Sequence, residues 1–269
     1  FAYGNATWDD LIAILDAKSE EDLAAFSNVW VNQKGMPHIT FTEKEGMLEI
    51  VQSDPWCRSL VWPQRFNVTF VGDGWERVEE ANLSAEKVVM SIPEDTKVIL
   101  PNTDGRGYGL FIPSPETMNW LLCHWHEVSD ETARQSLLMT LYENYQAKLI
   151  GAEVWMAALL NGLEAERNPL IASTICSYLG GPLREVGTDD LEAQLWHYAQ
   201  HHPLTSCRQQ LMRQLIAHAR TSTTVGLLYE VWNQQSHPLL SERDYTNMAY
   251  ALSLHMPQRY EEILSLQRS

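Results

Sequence analysis

Leu100-Pro101-Asn102-Thr103-Asp104-Gly105-Arg106-Gly107-Tyr108-Gly109-Leu110-Phe111-Ile112-Pro113-Ser114-Pro115 decides the fold, because the rhythm of apolar residues changes across it. Before this stretch apolar residues recur at every second position, the period of a half-buried strand. After it they recur at every third or fourth position, the period of an amphipathic helix. The stretch itself is dense in breakers, and its end, Ser114-Pro115-Glu116, is a helix start with Ser as N-cap and Pro in the first turn. One β region therefore hands over to one long helical region here.

Upstream, alternation runs through His38–Glu43 and Met47–Gln52, with Glu45-Gly46 between them as a hairpin turn. Phe66–Val71 alternates and ends in Gly72-Asp73-Gly74. Lys87–Ile92, Lys97–Leu100 and Tyr108–Ile112 complete six or seven short strands. That pattern predicts an antiparallel β-sandwich of roughly 75 residues. Ahead of it, Thr7 caps a helix with Leu11, Ile12 and Leu15. Ser19, with Asp22 three residues on, opens a second with Leu23, Phe26 and Trp30, and Gly35-Met36-Pro37 stops it. Two helices this short cannot bury their stripes alone, so they must dock on something.

Downstream, helices follow one another. Thr132–Leu149 carries Leu137, Leu141, Tyr145 and Leu149, and Val154 to Leu163 forms the next face. Asn168-Pro169 starts a helix that Gly180-Gly181-Pro182 ends. Thr188 caps the next, a face of Leu204, Cys207, Leu211, Leu215 and His218 follows, then one of Val225, Leu228 and Trp232. Ser241 caps another helix and Pro257 opens the last. Helix pairs repeat at about 35–40 residues, the range of stacked-pair solenoids. The predicted architecture is multidomain, with a short helical segment at 1–37, an antiparallel β-sandwich at 38–113 and an α-α superhelix at 114–269.

Composition narrows function. With 19 basic against 35 acidic residues the net charge is −16, which argues against nucleic acid and against an anionic membrane surface. No apolar run approaches the roughly 18 residues of a membrane span. Cys57, Cys123, Cys176 and Cys207 form no Cys-x-x-Cys pair and read as buried free thiols. The compartment stays open.

Several candidate sites are weak. His126-Glu127-Val128-Ser129-Asp130 nearly spells the zinc motif His-Glu-x-x-His, with Cys123 and His124 close by, but Val128-Ser129-Asp130 reads as a helix end followed by a new cap. His197 and His201 are four apart, with no third ligand in view, and His201-His202-Pro203 reads as a surface turn. Asn102–Gly107 holds a Gly-x-Gly, but a strand follows where a phosphate cradle needs a helix. Trp56, Trp62 and Trp75, with Asp54 and Asp73 near, are either packing residues or a sugar-stacking surface.

One resemblance is more specific. Tyr3-Gly4-Asn5-Ala6-Thr7-Trp8-Asp9-Asp10-Leu11, with Asp22-Leu23, Phe26-Ser27, Trp30-Val31 and Gly35-Met36-Pro37, resembles the segment that closes the catalytic domain of M1 family zinc aminopeptidases. Asn102-Thr103-Asp104-Gly105 with Gly107-Tyr108-Gly109, and later Ser241–Tyr245 and Ile263–Gln267, are similar to segments of the same family. The resemblance implies a thermolysin-like zinc domain upstream, then a small β-sandwich, then a superhelix of HEAT-like helices. It also implies an enzyme that removes N-terminal residues from peptides.

The family's zinc motif, its further zinc-ligating Glu and its Gly-x-Met-Glu-Asn loop are absent from this sequence. Phe1 is not Met and no leader follows, so the chain reads as the C-terminal part of a longer bacterial protein. The expectation is therefore no catalytic, cofactor-binding or metal residue in this chain, and zinc in the missing upstream domain. That domain and peptide substrates are the expected partners. The alternatives are a stand-alone peptide- or protein-binding module and a carbohydrate-binding sandwich.

Overall fold

A computed structural model describes residues 4–268; Tyr3 and Ser269 of the segments quoted above lie outside the described residues. The chain mixes two small sheets with many helices. It divides into two compact units, one ending at Asn144 and the other beginning at Tyr145, so positions 37 and 113 both fall inside the first.

The first unit opens with α1 (Trp8–Asp16). The Thr7 hydroxyl accepts the Asp10 N–H while the Asp10 carboxylate accepts the Thr7 N–H at 2.9 Å, a closed capping box. The next helix, α2 (Leu23–Ser27), begins later than expected. Asp22, not Ser19, is its cap and accepts the Ala25 N–H at 2.8 Å. Asp16 takes the Leu23 N–H at 2.8 Å, which holds the intervening residues in a turn. A five-residue π-type turn, Asn28–Asn32, continues α2.

Seven strands follow: β1 (His38–Lys44), β2 (Met47–Ser53), β3 (Gln64–Gly72), β4 (Trp75–Leu83), β5 (Lys87–Ser91), β6 (Thr96–Leu100) and β7 (Leu110–Ile112). One sheet has the order β5-β2-β1-β7 and the other β4-β3-β6. Glu45 and Gly46 close the β1–β2 hairpin with φ of 52° and 74°, the left-handed pair that a two-residue turn needs.

Two features differ from expectation. β4 has no sequence signal, because on this edge strand most side chains face water and the apolar alternation is lost among Glu76, Arg77, Glu79 and Glu80. And β7 pairs parallel with β1, so the first sheet is not purely antiparallel.

Inward residues of both sheets share one apolar cluster. Ile39, Phe41, Leu48 and Ile50 come from the first sheet, and Phe66, Val68, Phe70, Ala81 and Leu83 from the second. Phe111 meets Phe66 edge-on at 5.0 Å. Each such side chain contributes about 1.5–3 kcal/mol on burial. After β7 the Ser114 hydroxyl accepts the Thr117 N–H and donates to Glu43, so the cap of α3 (Pro115–His124) is tied back to β1. Then α4 (Glu131–Gln146) buries Leu137, Leu138 and Leu141. It stops short of Leu149, which is 56% exposed beyond the left-handed Lys148.

The second unit holds α5 (Ala152–Ala165), α6 (Pro169–Tyr178), α7 (Gly180–Val186), α8 (Asp189–His201), α9 (Thr205–His218), α10 (Ser222–Gln234), α11 (Glu242–His255) and α12 (Tyr260–Arg268). Asn168, Thr188 and Ser241 cap their helices as their side chains predict. The helix begun at Asn168-Pro169 does end there, at Tyr178, but Gly180-Gly181-Pro182 forms the first turn of α7. Pro there lacks an N–H that would have no helical partner anyway. At Gly180 a Cβ would lie 2.7 Å from both Gln214 Oε1 and His218 Nε2, so any larger residue would have to displace these two α9 side chains.

In this unit α8 packs on α9, α10 on α11 and α11 on α12, while α6 meets α9, α9 meets α11 and α8 meets α10. Glu192 is fully buried and accepts the Arg220 N–H at 2.7 Å and the Thr221 hydroxyl at 2.6 Å. Its carboxylate thus sits where the unpaired N–H groups at the start of α10 favour negative charge.

Candidate functional site

The feature of the first unit that packing leaves unexplained is its opening pair of helices. Trp8, Leu11, Ile12 and Leu15 stand at the i, i+3, i+4, i+7 spacing that normally turns toward a core. Yet α1 has no buried residue. Trp8 is 48% exposed, Leu11 45%, Leu15 44% and Phe26 44%. Ile14 and Val31 are exposed as well.

The helices hold each other through Trp8 Nε1, which donates to Ser27 Oγ at 2.7 Å. Aromatic rings tie them to the loop before β7. Phe26 stacks on Trp30 at 5.7 Å, and Trp30 lies against Tyr108 at 5.7 Å. The Trp30 indole nitrogen is buried there without a hydrogen-bond partner among the described residues. Within the two stripes Leu11 and Phe26 are open, while Ile12 and Trp30 are half-covered.

Tyr108 belongs to the breaker-rich stretch 100–115, which is held by a network of hydrogen bonds. Asn102 Oδ1 accepts the Gly107 N–H at 2.8 Å and its Nδ2 donates to the Gly107 carbonyl. Thr103 N–H donates to the Asn67 carbonyl, and Ser136 Oγ donates to the Asn102 carbonyl at 2.5 Å. Burial pushes the Asp104 carboxyl up, but the Asn67 N–H and the Arg106 guanidinium outweigh it and leave it below the ordinary range. Gly109 has φ +146°, and a Cβ there would lie 2.7 Å from the Pro37 carbonyl oxygen. The loop is a brace, not a phosphate cradle.

The near-miss zinc motif is dismantled by the backbone. His126 and Glu127 lie on a single 3-10 turn (Trp125–Glu127), and Val128 is extended. Asp130 caps α4, accepting the Ala133 N–H at 2.8 Å, and Glu127 pairs with His124 at 3.1 Å. These residues do not fit a zinc ion. Among the described residues no three His, Cys, Asp or Glu side chains converge as metal ligands.

His197 and His201 do face each other on α8, with ring centroids 4.6 Å apart. His202 corrects its expectation. It is buried, with Nε2 3.0 Å from the Leu163 carbonyl and Nδ1 accepting the Leu204 N–H, so it is an interior connector and not a surface histidine.

The tryptophans do not make one open surface. Trp62 is buried, Trp75 packs half-buried against the sheet core, and Trp56 is exposed with the Arg58 guanidinium 4.4 Å above its ring. Arg58 in turn grips Asp54 with two hydrogen bonds of 2.8 and 2.9 Å. Of the cysteines, Cys176 and Cys207 are buried as expected, but Cys57 and Cys123 are exposed, and all four are free thiols.

The exposed stripe of α1 has no motif in the sequence that marks it as open. Only its failure to find a core does so. Among the described residues no helix is long and apolar enough to cross a membrane. Compared with known proteins, the sequence matches no protein-family model and no curated protein.

Proposed function

We propose that this chain is the non-catalytic C-terminal region of a zinc-dependent M1 aminopeptidase, and that the open face of α1 and α2 seats the upstream catalytic domain. On this reading the two sheets are a β-sandwich spacer. The later helices are a HEAT-like superhelix that caps the chamber and controls peptide access. The zinc and the residues that activate water belong to the upstream domain.

The observation that carries the reading is α1, a capped amphipathic helix that buries nothing. It lies in the segment whose residues resemble the end of that catalytic domain. The shared apolar cluster of the two sheets is what a sandwich requires. The contacts of α6, α9 and α11 in one row and of α8 and α10 in another are what stacked helix pairs require. The test is the coding sequence preceding Phe1. It should run in frame into a His-Glu-x-x-His motif followed by a further Glu. A stop codon, or a long open frame without that motif, would refute the reading.

A further inference from the structure

Within the second unit, α9 and α11 border a groove of about 590 Å³, a size suited to a ligand or to the side chains of a bound segment. Arg243, Asn247, Tyr250 and Leu254 all line it. Their spacing of i, i+4, i+7 and i+11 places them in one stripe along α11. The stripe is graded: a guanidinium at one end, an amide next, then an aromatic ring, then an aliphatic tip.

The apolar end is open to an unusual degree, with Tyr250 61% and Leu254 81% exposed. The charged end is open too. Arg243 is exposed, and no hydrogen bond or ion pair holds it among the described residues.

Its neighbour across the groove differs. Arg213 donates to both Asp244 oxygens at 2.8 and 3.0 Å, and Ser241 donates to the same carboxylate through its N–H and its hydroxyl. Asp244 is thereby fully engaged and only 5% exposed. Two guanidinium groups therefore face one carboxylate in this groove, a locally positive balance on a chain of net charge −16. That contrast selects an anionic group.

We propose that this groove is a binding site for a peptide segment carrying an acidic side chain and, a few residues on, an aliphatic one. The acid meets Arg243 and the aliphatic group packs on Tyr250 and Leu254. From position 243 to 254 the stripe rises about 16 Å, at 1.5 Å per helical residue. An extended segment covers that in about five residues. The proposal does not rest on the function proposed above.

The probe is a fluorescein-labelled peptide with blocked termini and a Gly/Ser background, carrying one Glu and, five residues on, one Leu. Fluorescence anisotropy on the full chain reads its binding. Matched peptides replace Glu by Gln or Leu by Ser. The protein variants are Arg243→Gln and Leu254→Ser, both at exposed positions, with folding checked by circular dichroism.

Each single change, in peptide or protein, should weaken binding about tenfold, the effect of losing one charge-assisted contact or the burial of one aliphatic side chain. Combining Arg243→Gln with the Gln peptide should add no further loss. Equal binding of the Glu and Gln peptides, an unchanged affinity in Arg243→Gln, or no binding at millimolar protein would overturn the proposal. So would sedimentation showing that the groove is filled by a second copy of the chain.

Discussion

Replacing Leu11 and Leu15 together by Asp should silence the open face of α1 and leave the fold standing. The two leucines are 45% and 44% exposed and the helix has no buried residue. The isolated chain therefore loses only the covered part of each, about 1 kcal/mol apiece. The Thr7–Asp10 capping box is untouched.

The open part of the face sets the larger number. Trp8, Leu11, Leu15, Phe26 and Val31 each keep close to half their surface in water. Covering them would contribute about 1 kcal/mol each, about 5 kcal/mol in all. Bringing two free molecules together costs about 4–15 kcal/mol, so the face is too small to hold a separate molecule tightly. A neighbour on the same chain escapes most of that cost.

The wild-type chain should accordingly elute as a monomer at micromolar concentration and bind the dye ANS. The double variant should lose most of the ANS signal while its elution volume stays the same. A wild-type dimer that the two Asp residues dissolve would show that a second copy covers the face, and a wild-type chain that binds no ANS would show that it is not open.

Other consequences follow from the same geometry. Gly109→Ala should destabilise the first unit by about 1–3 kcal/mol, because the new methyl meets the Pro37 oxygen at a left-handed φ; tryptophan fluorescence against urea reads it. The Asp244 carboxyl is held down to about 2, chiefly by its hydrogen bonds from Arg213. The unfolded chain takes up that proton first, so this stabilisation is complete above about pH 4 and fades toward about pH 2. It is about 1–2 kcal/mol after allowing for the half-exposed Arg213 side chain. Urea midpoints should therefore show Asp244→Asn weaker than wild type at neutral pH, with the gap closing below about pH 3. A disulfide-exchange thiol reagent should titrate Cys57 and Cys123 in the native protein, and Cys176 and Cys207 only after unfolding.

What the sequence showed plainly was local. The caps at Thr7, Ser114, Asn168, Thr188 and Ser241 were legible because a side chain within three residues settles each one. The strands of the sheet interiors were legible because one face is buried. The parallel pairing of β1 with β7 was not, since it joins residues some 70 apart and no local signal encodes it. The start of α7 was hidden because glycine and proline punctuate loops far more often than they open helices. The glycine is explained by a contact with α9 that only the folded chain reveals. Neither the buried Glu192 nor the groove beside Arg243 could be foreseen. Both depend on which helices become neighbours.

On the proposed reading this chain supplies framework and docking surfaces while the reactive metal is held elsewhere. The most direct measurement is metal analysis of the purified chain after dialysis, paired with hydrolysis of an aminoacyl-anilide. Neither stoichiometric zinc nor turnover should be found. One tightly held zinc per chain, or cleavage by the chain alone, would contradict that reading.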